Sequence, residues 1–221
     1  MGRDPRPAPD GVAKFDRLAQ DAERFHLLHA LRVLEAHFED TGRLGETRRP
    51  REDRVRLGQV PELAFPRATI AAFKPGTAGR PARLTNRFFG LWGPHGPLPL
   101  HLTDYARARS RNHRDPTLVA FADLFTHRML SLFYRAWTSG EPAPSFDRPG
   151  QDPFAASVAA LTGLRGAPFA ERDAMPDLAK RFFAGHLANG PKHAAGLVAM
   201  LRGFFGASVR LQPFEGSWLT L

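Results

Sequence analysis

Twenty prolines and twenty glycines are distributed through 221 residues, so few stretches of this chain can run as uninterrupted helix or strand. Between Val55 and Leu91 the period shortens. Pro61, Pro66, Pro75 and Pro81 cut that region into short pieces. Val55 and Leu57 alternate with polar neighbours, as do Leu84 and Phe88 around Asn86, the period of a half-buried strand. The reading is a small strand-rich block with its prolines at edges or turns. From Gly90 to Pro99 glycine and proline alternate so closely that neither helix nor central strand can pass.

Helical periodicity marks the remainder. Leu27, Leu31, Leu34 and Phe38 fall on one face of a helix expected over Ala22–Asp40, halted by Gly42. A helix is expected from Thr103 to about Ser110. Asp115-Pro116 opens the strongest one, with Asp as N-cap, Pro in the first helical position, and an apolar stripe of Leu118, Phe121, Phe125, Leu132 and Ala136 reaching Trp137. Phenylalanine at that spacing reads as core. Asp152-Pro153 repeats the opening for a helix to Leu161, and two more helices are expected over Pro176–Asn189 and Pro191–Gly203. Alternating Val209 and Leu211, then Trp218, Leu219 and Leu221, read as closing strands.

The fold class expected is α+β: an N-terminal helix, a small strand-rich block with Pro/Gly loops, a helical hairpin, and a second helical section ending in strands. Four segments follow: a flexible tail (1–21), an N-terminal α+β section (22–138), a linker or protruding loop (139–151), and a second α+β section (152–221). Because the chain stops inside an apparent strand, that last section is expected to be incomplete.

Composition narrows function mainly by exclusion. Without cysteine there is no disulfide, no thiolate metal site and no thiol nucleophile. The apolar runs are far shorter than a membrane helix needs, and no apolar stretch follows the charged start as in a signal peptide, so the expected location is cytoplasmic. Thirty-one basic against twenty-two acidic residues give +9, which raises nucleic acid as a partner. Only Lys14, Lys74, Lys180 and Lys192 are lysine, however, and an acidic protein partner explains the charge equally well.

Chemical motifs are scarce in the chain. No Walker loop or G-x-G-x-x-G occurs, and the prolines between Gly90, Gly93 and Gly96 remove amides that would cradle phosphate. His26, His29 and His37 share a helical stretch without the His-Glu-x-x-His pattern of a zinc protease, and His113 and His127 read as hydrogen-bonded structural histidines. No G-x-S-x-G elbow is present. Glu52 and Asp53 lie among Arg48, Arg49, Arg51, Arg54 and Arg56, a salt-bridged surface and not a general acid. No catalytic residue, cofactor site or metal site is expected. Arg107, Arg111 and Arg114 fall at i, i+4 and i+7, one basic stripe if their helix extends that far.

Residues 84–138 carry a more specific pattern. Leu84-Thr-Asn-Arg-Phe-Phe-Gly90 runs into Leu91-Trp-Gly-Pro-His-Gly-Pro-Leu-Pro99, followed by His101-Leu-Thr-Asp-Tyr105, Arg114-Asp-Pro-Thr-Leu118, Phe121-Ala-Asp-Leu-Phe-Thr-His-Arg128 and Ser131-Leu-Phe-Tyr-Arg-Ala-Trp137. Upstream stand Arg56-Leu-Gly58 and Pro61-Glu-Leu-Ala-Phe-Pro66; downstream stand His193-Ala-Ala-Gly-Leu197, Phe204-Phe-Gly206 and Phe214-Glu-Gly-Ser-Trp218. In order and spacing this resembles the TssG family (also ImpH or VasB), a wedge component of the bacterial type VI secretion baseplate, over roughly residues 25–221. Family members extend past the position of Leu221, so a C-terminal part is expected to be missing.

The resemblance implies a non-catalytic scaffold at the inner face of the bacterial inner membrane. It would join a TssF-like wedge subunit to TssK-like adaptor trimers, near a TssE-like subunit and a VgrG-like spike hub, with no small-molecule substrate and no cofactor. The candidate docking residues are Trp92, Pro94, Leu98 and Pro99 of the rigid Gly90–Pro99 loop, Phe146 of the 139–151 segment, and Arg107 and Arg111. The alternative is a basic nucleic-acid-binding protein using its arginine patches.

Overall fold

A computed structural model describes residues 9–77, 79–148 and 150–216. The chain divides into two compact units, residues 1–148 and 149–221.

In the first unit, α1 (Pro9–Gln20) and α2 (Leu27–His37) pack together, separated by a 3-10 turn at Ala22–Arg24. The expected tail is thus corrected from residue 9 onward: Leu18 is fully buried and Phe15 stacks on His37 with ring centroids 3.8 Å apart. Burial of these two side chains, which the charged neighbourhood disguises, anchors the segment. The single helix expected over Ala22–Asp40 is also corrected. Phe25 and His26 are extended, and the freed Leu27 amide donates to Thr69 Oγ1 at 3.0 Å. The expected stripe survives the break, with Leu27, Leu31 and Leu34 buried.

Three five-residue strands follow: β1 (Val55–Gln59), β2 (Ile70–Lys74) and β3 (Ala82–Asn86). Their order is β1-β3-β2, parallel between β1 and β3 and antiparallel between β2 and β3. All four prolines of the region lie outside the strands, as expected of residues that cannot donate to a ladder. Val55, Leu57, Ile70, Phe73 and Leu84 join Leu18, Leu31 and Leu34 in the main core.

A helical hairpin of α3 (Leu100–Asn112) and α4 (Thr117–Gly140) comes next. Asp115 does not occupy the cap position itself; the helix starts at Thr117, whose amide and hydroxyl both donate to Asp115 Oδ1. The Thr117 hydroxyl, with the Arg109 guanidinium and the Thr117 amide, holds the Asp115 carboxyl well below the usual carboxylate range.

The stretch expected as a linker or protrusion is corrected. Residues 117–140 are helical without a break, a short α5 follows (Pro142–Phe146), and Arg148 is buried. Its guanidinium donates to the carbonyls of Glu35, Phe38 and Thr41 beyond and at the end of α2, where helical carbonyls lack internal partners. Asp147 pairs with Arg32 of α2 through two hydrogen bonds of 2.6 and 3.0 Å.

The second unit contains, among its described residues, α6 (Pro153–Leu161), a 3-10 turn at Ala167–Phe169, α7 (Asp177–Phe182), α8 (Ala184–Ala188) and α9 (Ala194–Phe205). The Asp152 side chain caps α6 by accepting from the Ala155 amide at 3.0 Å, as the Asp-Pro pair predicts. The helix expected over Pro176–Asn189 is broken at Phe183, one of the unit's few buried apolar residues. The last helix runs past Gly203 and stops at Gly206, which adopts φ +63. The closing strands are corrected in part. Residues 207–216, including Val209 and Leu211, have no regular structure and find no strand to pair with, while Trp218, Leu219 and Leu221 lie outside the described residues.

Candidate docking surfaces

The orientation of α4 is decided by β1. As an edge strand, β1 presents unpaired amides at alternate residues, roughly 6.8 Å apart, while helical residues four apart are separated by about 6 Å. Asp123 and His127 of α4 meet that spacing. Asp123 Oδ1 accepts from the Gln59 amide at 2.9 Å, and His127 Nδ1 accepts from the Leu57 amide at 3.1 Å. His127 is thereby held with its proton on Nε2, which donates to Asp53 Oδ2 at 2.9 Å, the structural pairing expected of it. Helix and strand approach so closely that a Cβ on Gly58 would lie 2.5 Å from the Asp123 carboxylate. Burial pushes the Asp123 carboxyl up from its ordinary value, against the Gln59 amide and the Arg83 guanidinium that favour its charged form.

This polar pair turns Val119, Ala122, Leu130 and Tyr134 inward and sends the aromatic stripe outward. The expectation that those phenylalanines form core is therefore corrected. Phe121, Leu124, Phe125, Met129, Leu132 and Phe133 are between 42% and 65% exposed. Phe121, Phe125, Met129 and Phe133 form one i, i+4 row; Leu124, Arg128 and Leu132 form the row beside it. The sequence signal for this face was present: α4 carries apolar residues on more than one side, too many for a single core contact.

The Gly90–Pro99 loop is built against the end of β1. The Gln59 side-chain amide donates to the Trp92 carbonyl and accepts from the Trp92 amide, both at 2.8 Å. A Cβ at Gly90, where φ is +144, would sit 2.4 Å from Gln59 Oε1. Trp92 is corrected as a docking anchor. Its side chain is only 2% exposed, packed with Ala106, Val119 and Ala122. Leu98 packs half-buried against the same cluster, whereas Pro94 and Pro99 are exposed.

Of the arginine stripe, only Arg107 and Arg111 lie on α3. Arg107 and Arg111 both converge on Glu62, at 3.3 and 2.9 Å, and Arg114 lies beyond the end of α3. Phe146 is 58% exposed, on α5. In the second unit Pro176, Leu178, Phe182 and Phe204 line an open apolar groove, and Phe154, Leu161 and Phe205 are exposed too. Of these, only Phe146 was expected from sequence as a docking residue.

Among the described residues no three His, Asp or Glu side chains gather as metal ligands, and no helix is long and apolar enough to cross a membrane. The buried ionisable cluster is structural. Glu35 accepts from the Tyr134 hydroxyl at 3.0 Å and from the Leu44 amide at 3.1 Å, and burial beside that carboxylate pushes the tyrosine hydroxyl well above its ordinary range.

No curated protein and no solved structure matches the chain. A family model described as "Type VI secretion, TssG" matches residues 21–221, which takes in both compact units. The chain belongs to the TssG family, a component of the type VI secretion baseplate.

Proposed function

We propose that this chain is a non-catalytic scaffold joining a TssF-like wedge subunit to TssK-like adaptor trimers, with a TssE-like subunit and a VgrG-like spike hub nearby. Family membership supplies the assembly, and the observation that carries the scaffold reading is the extent of apolar side chain held at the surface of helices. A helix whose register is pinned by Asp123 and His127 cannot rotate its phenylalanines inward, so a partner must cover them. Phe146, Pro94 and Pro99 are further exposed points for contact, with Leu98 at the rim. The assembly would form on the cytoplasmic side of the inner membrane.

Joining is tested by a three-component reconstitution. A tagged TssF-like subunit is co-expressed with a TssK-like subunit, with and without this chain, and captured. The reading expects the adaptor in the eluate only when the chain is present. Equal recovery of the adaptor without it would overturn the reading.

A further inference from the structure

We propose that the outward face of α4 is the seat of an acidic amphipathic helix from a partner subunit, an inference that rests on the scaffold reading and names the chemistry of one of its contacts. Three observations select that occupant.

The first is area. Taking roughly 200 Å² for a fully exposed large side chain, the six apolar residues from Phe121 to Phe133 offer on the order of 600 Å². That is most of the about 800 Å² that one side of a stable interface buries. The stripe is continued by Phe89, which stacks on Phe133 with centroids 5.2 Å apart.

The second is shape. Backbone groups within α4 are bonded along the helix, so this face offers no edge to which a strand could add. It offers two adjacent i, i+4 rows running roughly 18 Å, with a groove between them that matches a ridge on another helix.

The third is charge. The charged groups bordering the face are paired within the unit: Asp123 with Arg83, Arg135 with Glu46, and His127 with Asp53. Arg128, between Leu124 and Leu132, has no carboxylate partner among the described residues. Its guanidinium is fixed by donating to the carbonyls of Gly45 and Thr47. A covering helix therefore has to bring a carboxylate to this point. A second copy of the chain fails the same requirement. Two-fold pairing maps the middle of the stripe onto itself, and Arg128 stands at that middle, so it would meet its own copy.

The test uses the TssF-like subunit, titrated with the full chain and three variants. Leu124→Asp and Phe125→Asp are expected to weaken binding at least tenfold each while the melting temperature of the free chain stays within a few degrees. Arg128→Glu is expected to weaken it about tenfold and to flatten its salt dependence, with Arg128→Lys largely restoring both. Wild-type affinity in all three variants would overturn the inference while leaving the scaffold reading standing. Absence of binding by the wild-type chain to any baseplate subunit would overturn both. A dimer of the free chain abolished by Leu124→Asp would assign the face to a second copy and also overturn the inference.

Discussion

Tyr134 and Glu35 show how much a single buried pair holds in place. The hydroxyl donates to a carboxylate that also receives the Leu44 amide, so helix α4, helix α2 and the loop after it meet at one side chain. Tyr134→Phe leaves a buried carboxylate oxygen without its donor and is expected to lower stability by about 1–3 kcal/mol in a denaturant titration. The pH dependence has a definite sign. Because the native hydroxyl is held above the ordinary value of 10.0, stability is intact below that pH and falls as the pH rises beyond it, where only the unfolded tyrosine ionises. Ultraviolet titration checks this directly: Tyr134 is expected to ionise only on unfolding. At Gly58 the constraint is steric. Gly58→Ala places a methyl group into the Asp123 carboxylate and is expected to destabilise by about 1–3 kcal/mol, read as a lowered denaturation midpoint. Both stand in motifs of the family pattern, but neither role could be read from sequence, since each matters through a partner dozens of positions away.

Among the elements, α4 and the Arg148 turn decide most. Asp123→Asn keeps an acceptor for the Gln59 amide and removes a carboxylate whose charged form burial disfavours. A carboxyl with a raised native titration contributes less to stability as the pH rises above the ordinary carboxylate value, so this variant is expected to flatten the fall in stability there. Asp123→Ala lacks the acceptor and is expected to lose about 1–3 kcal/mol at neutral pH. Arg148→Ala removes three carbonyl partners around the end of α2, and faster proteolysis between residues 142 and 150 is its expected signature. What sequence made legible at this scale was local. The Asp152 cap, the proline-bounded strands and the apolar face of α2 follow from residues close together in the chain. Period alone, however, could not tell which side of α4 faces the sheet. That choice was made by Asp123 and His127 answering the amides of a strand some sixty residues earlier. The same limit misplaced Trp92, because a tryptophan in a rigid loop reads alike whether it points outward or packs beneath.

The two units differ most at the scale of the whole chain. Residues 1–148 contain the sheet and the main apolar cluster, and expressed alone they are expected to unfold cooperatively. In residues 149–221 Ala159 and Phe183 are the buried apolar side chains among those described, against exposed Phe154, Leu161, Phe182, Phe205 and Phe214. That unit alone is expected to bind hydrophobic dye and to unfold without a cooperative transition. Family membership was legible because the motifs between Leu84 and Trp137 hold their order, although most of them are fold-building and not contact-making. Family membership places both units in a multi-subunit baseplate. The most direct test of that account is the mass of the species recovered when the full chain is co-expressed with the TssF-like subunit. A stable assembly is expected, holding the 24.5 kDa chain and its partner in a fixed integral ratio. A free monomer beside an intact, separately eluting partner would contradict it.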